Sequence, residues 1–304
     1  MIHLKIGLQI INFTWAGHPH TTRQRLGEIA KLADDTNFAS LWVMDHFFQM
    51  GGSFGPAEDP MLEAYSTLGY VAGLTQHIHL GVLVSAVLYR HPSVLIKTVT
   101  TLDVLSGGRM YLGIGAGWYE EEALGLGIPY YSTKERFERL EETLQIAKHM
   151  WAGNRAPYLG KYYQLQEPIN SPQSIQRPHP PILIGGEGEE KTLQFVAKYA
   201  DACNLFVGGN TEEYAEGLQS VRHKLSVLKQ HCESIGRNYT EIEKTTLVGI
   251  DLTQGADKTR EIIQLCHSLA ELGIGHILFN MPNGYDMKSV EILGKEIIPS
   301  AANL

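Results

Sequence analysis

Asp45-His46 follows the apolar run Ser40-Leu41-Trp42-Val43-Met44 and carries the most direct proton chemistry in the chain. An imidazole exchanges a proton near neutral pH, and a neighbouring carboxylate tunes it. Adjacent residues on a strand point to opposite faces, so one of the pair faces a pocket squarely. A second constellation is Gly113-Ile114-Gly115-Ala116-Gly117-Trp118, a strand that runs straight into a glycine-spaced loop. Glycine has no Cβ, so such a loop lets a large flat ligand approach the backbone. The spacing is not Gly-x-Gly-x-x-Gly and no acidic residue follows at the right later strand, which excludes a dinucleotide fingerprint. A third is Gly185-Gly186-Glu187-Gly188, followed by Glu189-Glu190-Lys191-Thr192. Exposed N–H groups at a helix N-terminus form an anion site, aided here by Lys191 or Thr192. The three glutamates suit the helix dipole themselves and would repel a phosphate if they pointed inward. His18 and His20 lie two apart without a third ligand, so no metal site is expected.

These groups need a scaffold that brings distant segments to one rim. Strand-like segments fall at 4–11, 40–44, 78–85, 110–115, 182–185, 202–207, 245–251 and 276–281, the last running into Pro282. Helix-like segments lie between them, at 21–37, 61–76, 92–106, 134–152, 189–199, 211–236, 256–272 and 286–298. The strands are nearly continuous apolar runs, as a parallel sheet covered by helices requires. Eight strand–helix pairs predict an α/β fold, a (β/α)8 TIM barrel in one domain over 1–304, with active residues at the strand C-termini. On that reading Asn12 and Trp15 end the first strand, Asp45-His46 the second, Val84-Ser85 the third and Gly115-Ala116-Gly117-Trp118 the fourth. The segment 153–181 holds six prolines and breaks the rhythm as an extended loop between the fourth helix and the fifth strand. It reads either as a lid or as an excursion that only packs, starting on the face opposite the site. Helices 61–76 and 92–106 are apolar around more of their circumference than an outer barrel helix needs, and Gly69 and Gly73 permit close approach, so a homodimer through them is expected.

The bulk numbers exclude other classes. A formal net charge of −8 over 304 residues, without a basic run, argues against nucleic acid. No apolar run approaches the roughly 18 residues of a membrane span, and no secretory leader is seen. Three scattered cysteines fit a reducing cytoplasm.

Taken together, Gly7-Leu8-Gln9-Ile10, Asn12-Phe13-Thr14-Trp15, Asp45-His46-Phe47, Pro60-Met61-Leu62-Glu63-Ala64-Tyr65, Tyr89-Arg90-His91-Pro92, the block from Leu102 to Trp118 and Asp201-Ala202-Cys203-Asn204-Leu205 resemble the luciferase-like monooxygenase superfamily. The match is closest to its branch of oxidoreductases that use the deazaflavin coenzyme F420. The resemblance implies a luciferase-like (β/α)8 barrel, usually a dimer, with the ring at the strand C-termini and a non-prolyl cis peptide within Leu83-Val84-Ser85. Its cofactor contacts map onto Asp45, His46, Val84, Ser85, Gly115, Ala116 and Gly117, and its phosphate contacts onto Gly185, Gly186 and Gly188. Sugar-phosphate dehydrogenases of this branch carry a carboxylate directly after the Gly-x-Gly of strand four. Here Trp118 stands there, with Glu120, Glu121 and Glu122 slightly later, and an indole wall suits an apolar or planar substrate better. The leading expectation is hydride transfer between coenzyme F420 and a small organic substrate. His46 and Asp45 would be catalytic, and Asn12, Trp15 and Trp118 would contact substrate. The alternatives are an FMN-dependent monooxygenase using molecular oxygen and a flavin-binding protein without turnover.

Overall fold

The computed structural model describes residues 4–252, 256–281 and 286–301; Pro282 and the ends of 1–304 lie outside the described residues. Eight parallel strands form the barrel: β1 Lys5–Ile10, β2 Ser40–Val43, β3 in two pieces His79–Val82 and Ser85–Ala86, β4 Leu112–Gly115, β5 Ile182–Gly185, β6 Ala202–Gly208, β7 Glu243–Gly249 and β8 His276–Asn280. Neighbours run β3-β2-β1-β8-β7-β6-β5-β4, and the second piece of β3 pairs with β4 at Ser85↔Ile114 and Ala86↔Gly115. A bridge between Leu80 and Met110 completes the closure. The peptide between the two pieces, Leu83–Val84, is cis. Around the barrel lie α1 Thr22–Asp35, α2 Ala64–Ala72, α3 Pro92–Leu105, α4 Thr133–Trp151, α5 Thr192–Tyr199, α6 Thr211–Ser234, α7 Ala256–Glu271 and a last helix α8 over 287–301.

The expected strands and helices are all found, with ends shifted where local chemistry decides. α2 starts at Ala64 rather than 61 because Glu63 is extended and its carboxylate caps the Ser66 N–H at 2.6 Å. α5 starts at Thr192 rather than 189, after the glycine turn has unwound. A short helix Glu120–Gly125 was not expected. The segment 153–181 also proves more ordered than a loop, with an antiparallel pair, Tyr158–Leu159 against Gln164–Leu165. It is strapped to the outer wall: Glu142 accepts the N–H groups of Lys161, Tyr162 and Tyr163, and Asp103 accepts those of Ile175 and Gln176. Carboxylates that accept several backbone donors hold irregular chain in place. In this structure the segment is packed on the outer wall of the barrel.

The lumen is stoppered from below. Trp42, Tyr111, Leu183, Ala202 and Leu278 fill it, with Leu83, Val84 and Leu247 resting on them. Gly81 makes this possible, since a Cβ there would meet the Trp42 ring at 2.3 Å. Trp42 Nε1 donates to Ser40 Oγ at 2.7 Å, and Ser40 Oγ lies 2.8 Å from His276 Nε2. Under them Glu243 takes Lys5 Nζ at 2.9 Å and the Tyr111 hydroxyl at 3.1 Å, with His276 Nδ1 at 3.5 Å. Burial works to raise the Glu243 carboxyl, but His276 and Lys5 outweigh it and hold it far below the ordinary range. A depressed carboxyl stabilises the fold fully above the unfolded value of about 4.3 and loses that contribution as pH falls toward the folded value. Glu243→Gln is thus expected to lower the thermal midpoint at neutral pH and to flatten its fall in acid. Parallel midpoint curves for the two proteins between pH 3 and 7 would remove this assignment.

Among the described residues no helix is long and apolar enough to cross a membrane, and no group of three or more His, Cys, Asp or Glu side chains could hold a metal.

Candidate active site

Above the stopper the barrel opens into a cavity of about 440 Å³ at the strand C-termini, a volume suited to a small organic ligand or a cofactor ring. Asp45 and His46, just beyond the end of β2, both line it. Asp45 is buried, and both of its carboxylate oxygens are taken by Arg90, at 2.6 and 2.9 Å. Arg90 also pairs with Glu63 and lies 4.7 Å from the Tyr65 ring. Tyr65 shares a 2.7 Å hydrogen bond with Ser85. Burial raises the Asp45 carboxyl, with Arg90 opposing. For Arg90, burial works to lower the value, and the bonds and charge of Asp45 overcome it, so the guanidinium is held above its ordinary range. Asp45 thus anchors the end of β2.

His46 lines the cavity, and its Nδ1 lies 3.3 Å from Glu122 Oε2. That buried carboxylate also accepts the N–H groups of Phe47 at 2.9 Å and Phe48 at 3.0 Å, and the Tyr89 hydroxyl donates to its other oxygen. Burial works to raise the Glu122 carboxyl; hydrogen bonds from His46, Tyr89 and Phe48 prevail and keep it below the usual range. A carboxylate on Nδ1 fixes the tautomer with a proton there and leaves Nε2 as the acceptor. The Trp118 and Tyr119 rings stand edge-on to the imidazole, each at 5.7 Å.

The glycine loops build one wall. A Cβ on Gly115 would come within 3.0 Å of Val84 Cγ2, and one on Gly185 within 2.8 Å of Val84 Cγ1. Gly117 has φ +78°, a left-handed backbone that glycine adopts without penalty. Val84, Gly115, Ala116, Gly117, Trp118, Gly185 and Gly186 all line the cavity, as does Thr192 at the start of α5. Gly188 does not; it turns against Thr192. The glutamates of this turn face elsewhere, since Glu187 accepts the Phe206 N–H at 2.9 Å and Glu189 pairs with Lys224 at 2.8 Å. Ser85 also lies off the cavity wall, buried against Tyr65. Asn12 and Trp15 are likewise outside the wall: both are buried, with Trp15 edge-on to Phe13 at 5.6 Å.

The profile described as "Luciferase-like monooxygenase" matches residues 5–227. The chain belongs to the luciferase-like monooxygenase family. An F420-dependent glucose-6-phosphate dehydrogenase of Kineococcus radiotolerans is 27% identical over 286 residues, covering 91% of this chain and 80% of that protein. Among solved structures, an F420-dependent secondary alcohol dehydrogenase superposes with a TM-score of 0.79 at 16% identity, over 98% of this chain and 99% of that one. The coenzyme F420-dependent tetrahydromethanopterin reductase of Methanopyrus kandleri gives 0.76 at 17% identity, over 98% and 99%. At these identities the two superpositions show the shared luciferase-like barrel.

Several wall residues of this family member lie at strand ends or in motifs noted in the sequence without a role assigned to them. Gln9, Asn204 and Asn280 present amides to the cavity. Asn280 Nδ2 donates to Gln9 Oε1 at 3.3 Å and Asn204 Nδ2 to Thr245 Oγ1 at 2.8 Å. A polar amide inside an apolar strand, as in Ala202-Cys203-Asn204-Leu205, is the signal that marks them as wall residues. Arg136, on the first turn of α4, gave none. It is buried and lines the cavity, donating to Tyr131 O at 2.7 Å and Thr133 Oγ1 at 3.3 Å, while its Nε is enclosed without a hydrogen-bond partner among the described residues. A buried guanidinium is costly unless its charge is met, and here it is the one cation on the cavity wall among the described residues.

Proposed function

We propose that this enzyme transfers a hydride between coenzyme F420 and a small organic substrate, with His46 exchanging the proton. The observation that carries the reading is the Glu122–His46 pair set beside a glycine-walled cavity that the Arg136 side chain also lines. The curated relative named above is F420-dependent, which supports the choice of ring. The residues fit such a group. Val84, Gly115, Ala116, Gly117 and Gly185 would hold the flat ring, and the amides of Gln9, Asn204 and Asn280 suit its polar edge. Gly186, Thr192 and Arg136 would take the phosphate. When bound, the deazaflavin supplies a two-electron hydride carrier; the protein supplies position and proton handling. His46 Nε2 takes the hydroxyl proton of an alcohol or returns it to a carbonyl oxygen, and Glu122 steadies the imidazolium formed.

Titration of the purified protein with F420, followed by coenzyme fluorescence, is expected to give a saturating, stoichiometric signal, and FMN is expected to bind far more weakly. Arg136→Met should raise the F420 Kd about ten- to a hundred-fold, the worth of one charge-assisted hydrogen bond. FMN binding tightly without any F420 binding would overturn the reading in favour of a flavin monooxygenase.

We also infer that two copies pair through α2 and α3. The structure buries Leu95, Ile96, Val99 and Leu102 of α3 within the chain. It leaves Val94 and Leu105 on the outer face at 57% and 71% exposure, beside the open Gly69 and Gly73 of α2. Light scattering at micromolar concentration should report twice the chain mass, and a monomer there would end the idea.

A further inference from the structure

We propose that the substrate is an uncharged, largely apolar alcohol or carbonyl compound, and that Trp118 with Phe206 forms its docking wall, so that a phosphorylated sugar is excluded. This rests on the hydride-transfer reading above. The first observation is a census of charge. Among the described residues lining the cavity, Arg136 is the one Lys or Arg. Two of its nitrogens are engaged by Tyr131 O and Thr133 Oγ1, and its guanidinium lies 4.4 Å from the Tyr130 ring. A single guanidinium serves one anion, and the coenzyme brings its own phosphate. Asp45 is closed off by Arg90, and Glu122 by four donors. A phosphomonoester carries a charge of about −1.5 to −2 and would meet no second Lys or Arg among the described residues that line this cavity, a heavy desolvation penalty.

The second observation is the apolar rim. The Trp118 indole is 60% exposed, stacked on Tyr119 at 5.1 Å and standing beside His46. Phe206 is 45% exposed on the same cavity, where Met50 and Phe54 also face it. Large aromatic surfaces left in water at a cavity rim are stabilised by an apolar guest. An alcohol of this class loses its carbinol hydride, with the bonding pair, to the oxidised deazaflavin and its hydroxyl proton to His46. The C=O bond forms as the C–H and O–H bonds break, so the alcohol is oxidised and the coenzyme reduced. The carbonyl compound runs the same step in reverse.

The F420-loaded protein should be assayed with cyclohexanol and 2-octanol against glucose 6-phosphate, and in reverse with cyclohexanone and reduced coenzyme. The best apolar compound is expected to exceed glucose 6-phosphate in kcat/KM by on the order of 10²-fold or more. Trp118→Ala should raise its KM about tenfold while leaving the F420 Kd unchanged. Saturation-transfer NMR, which needs no turnover, should show cyclohexanone but not glucose 6-phosphate contacting the protein, with the signal lost in Trp118→Ala. Glucose 6-phosphate turned over as well as the apolar compounds, or an NMR contact indifferent to Trp118, would overturn the assignment. Failure of F420 to bind would sink the coenzyme reading instead, and the NMR contact would still decide the substrate class.

Discussion

His46→Ala is expected to cut kcat by about 10²–10⁴-fold, the usual worth of a positioned general acid or base, with the F420 Kd nearly unchanged. The split follows from placement. His46 faces the cavity with its Nδ1 tied to Glu122, so its open nitrogen acts on the reacting proton and contributes little to holding a ring. Steady-state rates and a coenzyme titration on the same preparation separate the two effects. A variant that keeps wild-type kcat would remove His46 from the chemistry and favour passive coenzyme binding. Glu122→Gln tests the positioning role from behind. Loss of such an orienting partner typically costs about 10–100-fold, a smaller effect than loss of the imidazole. Near-neutral pH profiles of kcat should then differ between wild type and Glu122→Gln, which a purely packing role would not produce.

Arg90→Met should destabilise the fold by about 3–5 kcal/mol, because it leaves the buried Asp45 carboxylate without its partner. The side chains are 15% and 1% exposed, so solvent cannot replace the lost bidentate bond. Glu63, which Arg90 also holds, loses a contact at the same time. Chemical denaturation measures the loss. The double variant Arg90→Met with Asp45→Asn should recover much of it, since the uncompensated charge is then gone. Equal losses in the single and double variants would show that Arg90 acts by packing alone.

The barrel was legible because its signals are local. Short apolar runs rich in β-branched residues and bounded by Pro and Gly, such as Ile182-Leu183-Ile184, read as buried strands, and Gly107-Gly108 marks where a helix stops. The ring wall was legible for the same reason: Gly115, Ala116 and Gly117 are contiguous, and their need for space is written in one stretch. The partners of the polar groups were not. Arg90 is 45 residues from Asp45, and Glu122 is 76 from His46. Glu122 also sits in a run of three glutamates, and only the turn of the short helix Glu120–Gly125 selects the one that is buried. Asn12 and Trp15 were expected at the rim because they follow β1. The chain instead folds them into the packing above it, where Trp15 meets Phe13.

Trp42 and its neighbours make the cylinder blind at one end. Every molecule that reacts inside must come and go by a single door. Whatever lies deepest is therefore first in and last out, and the second reactant is free to exchange only while it stays nearer the threshold.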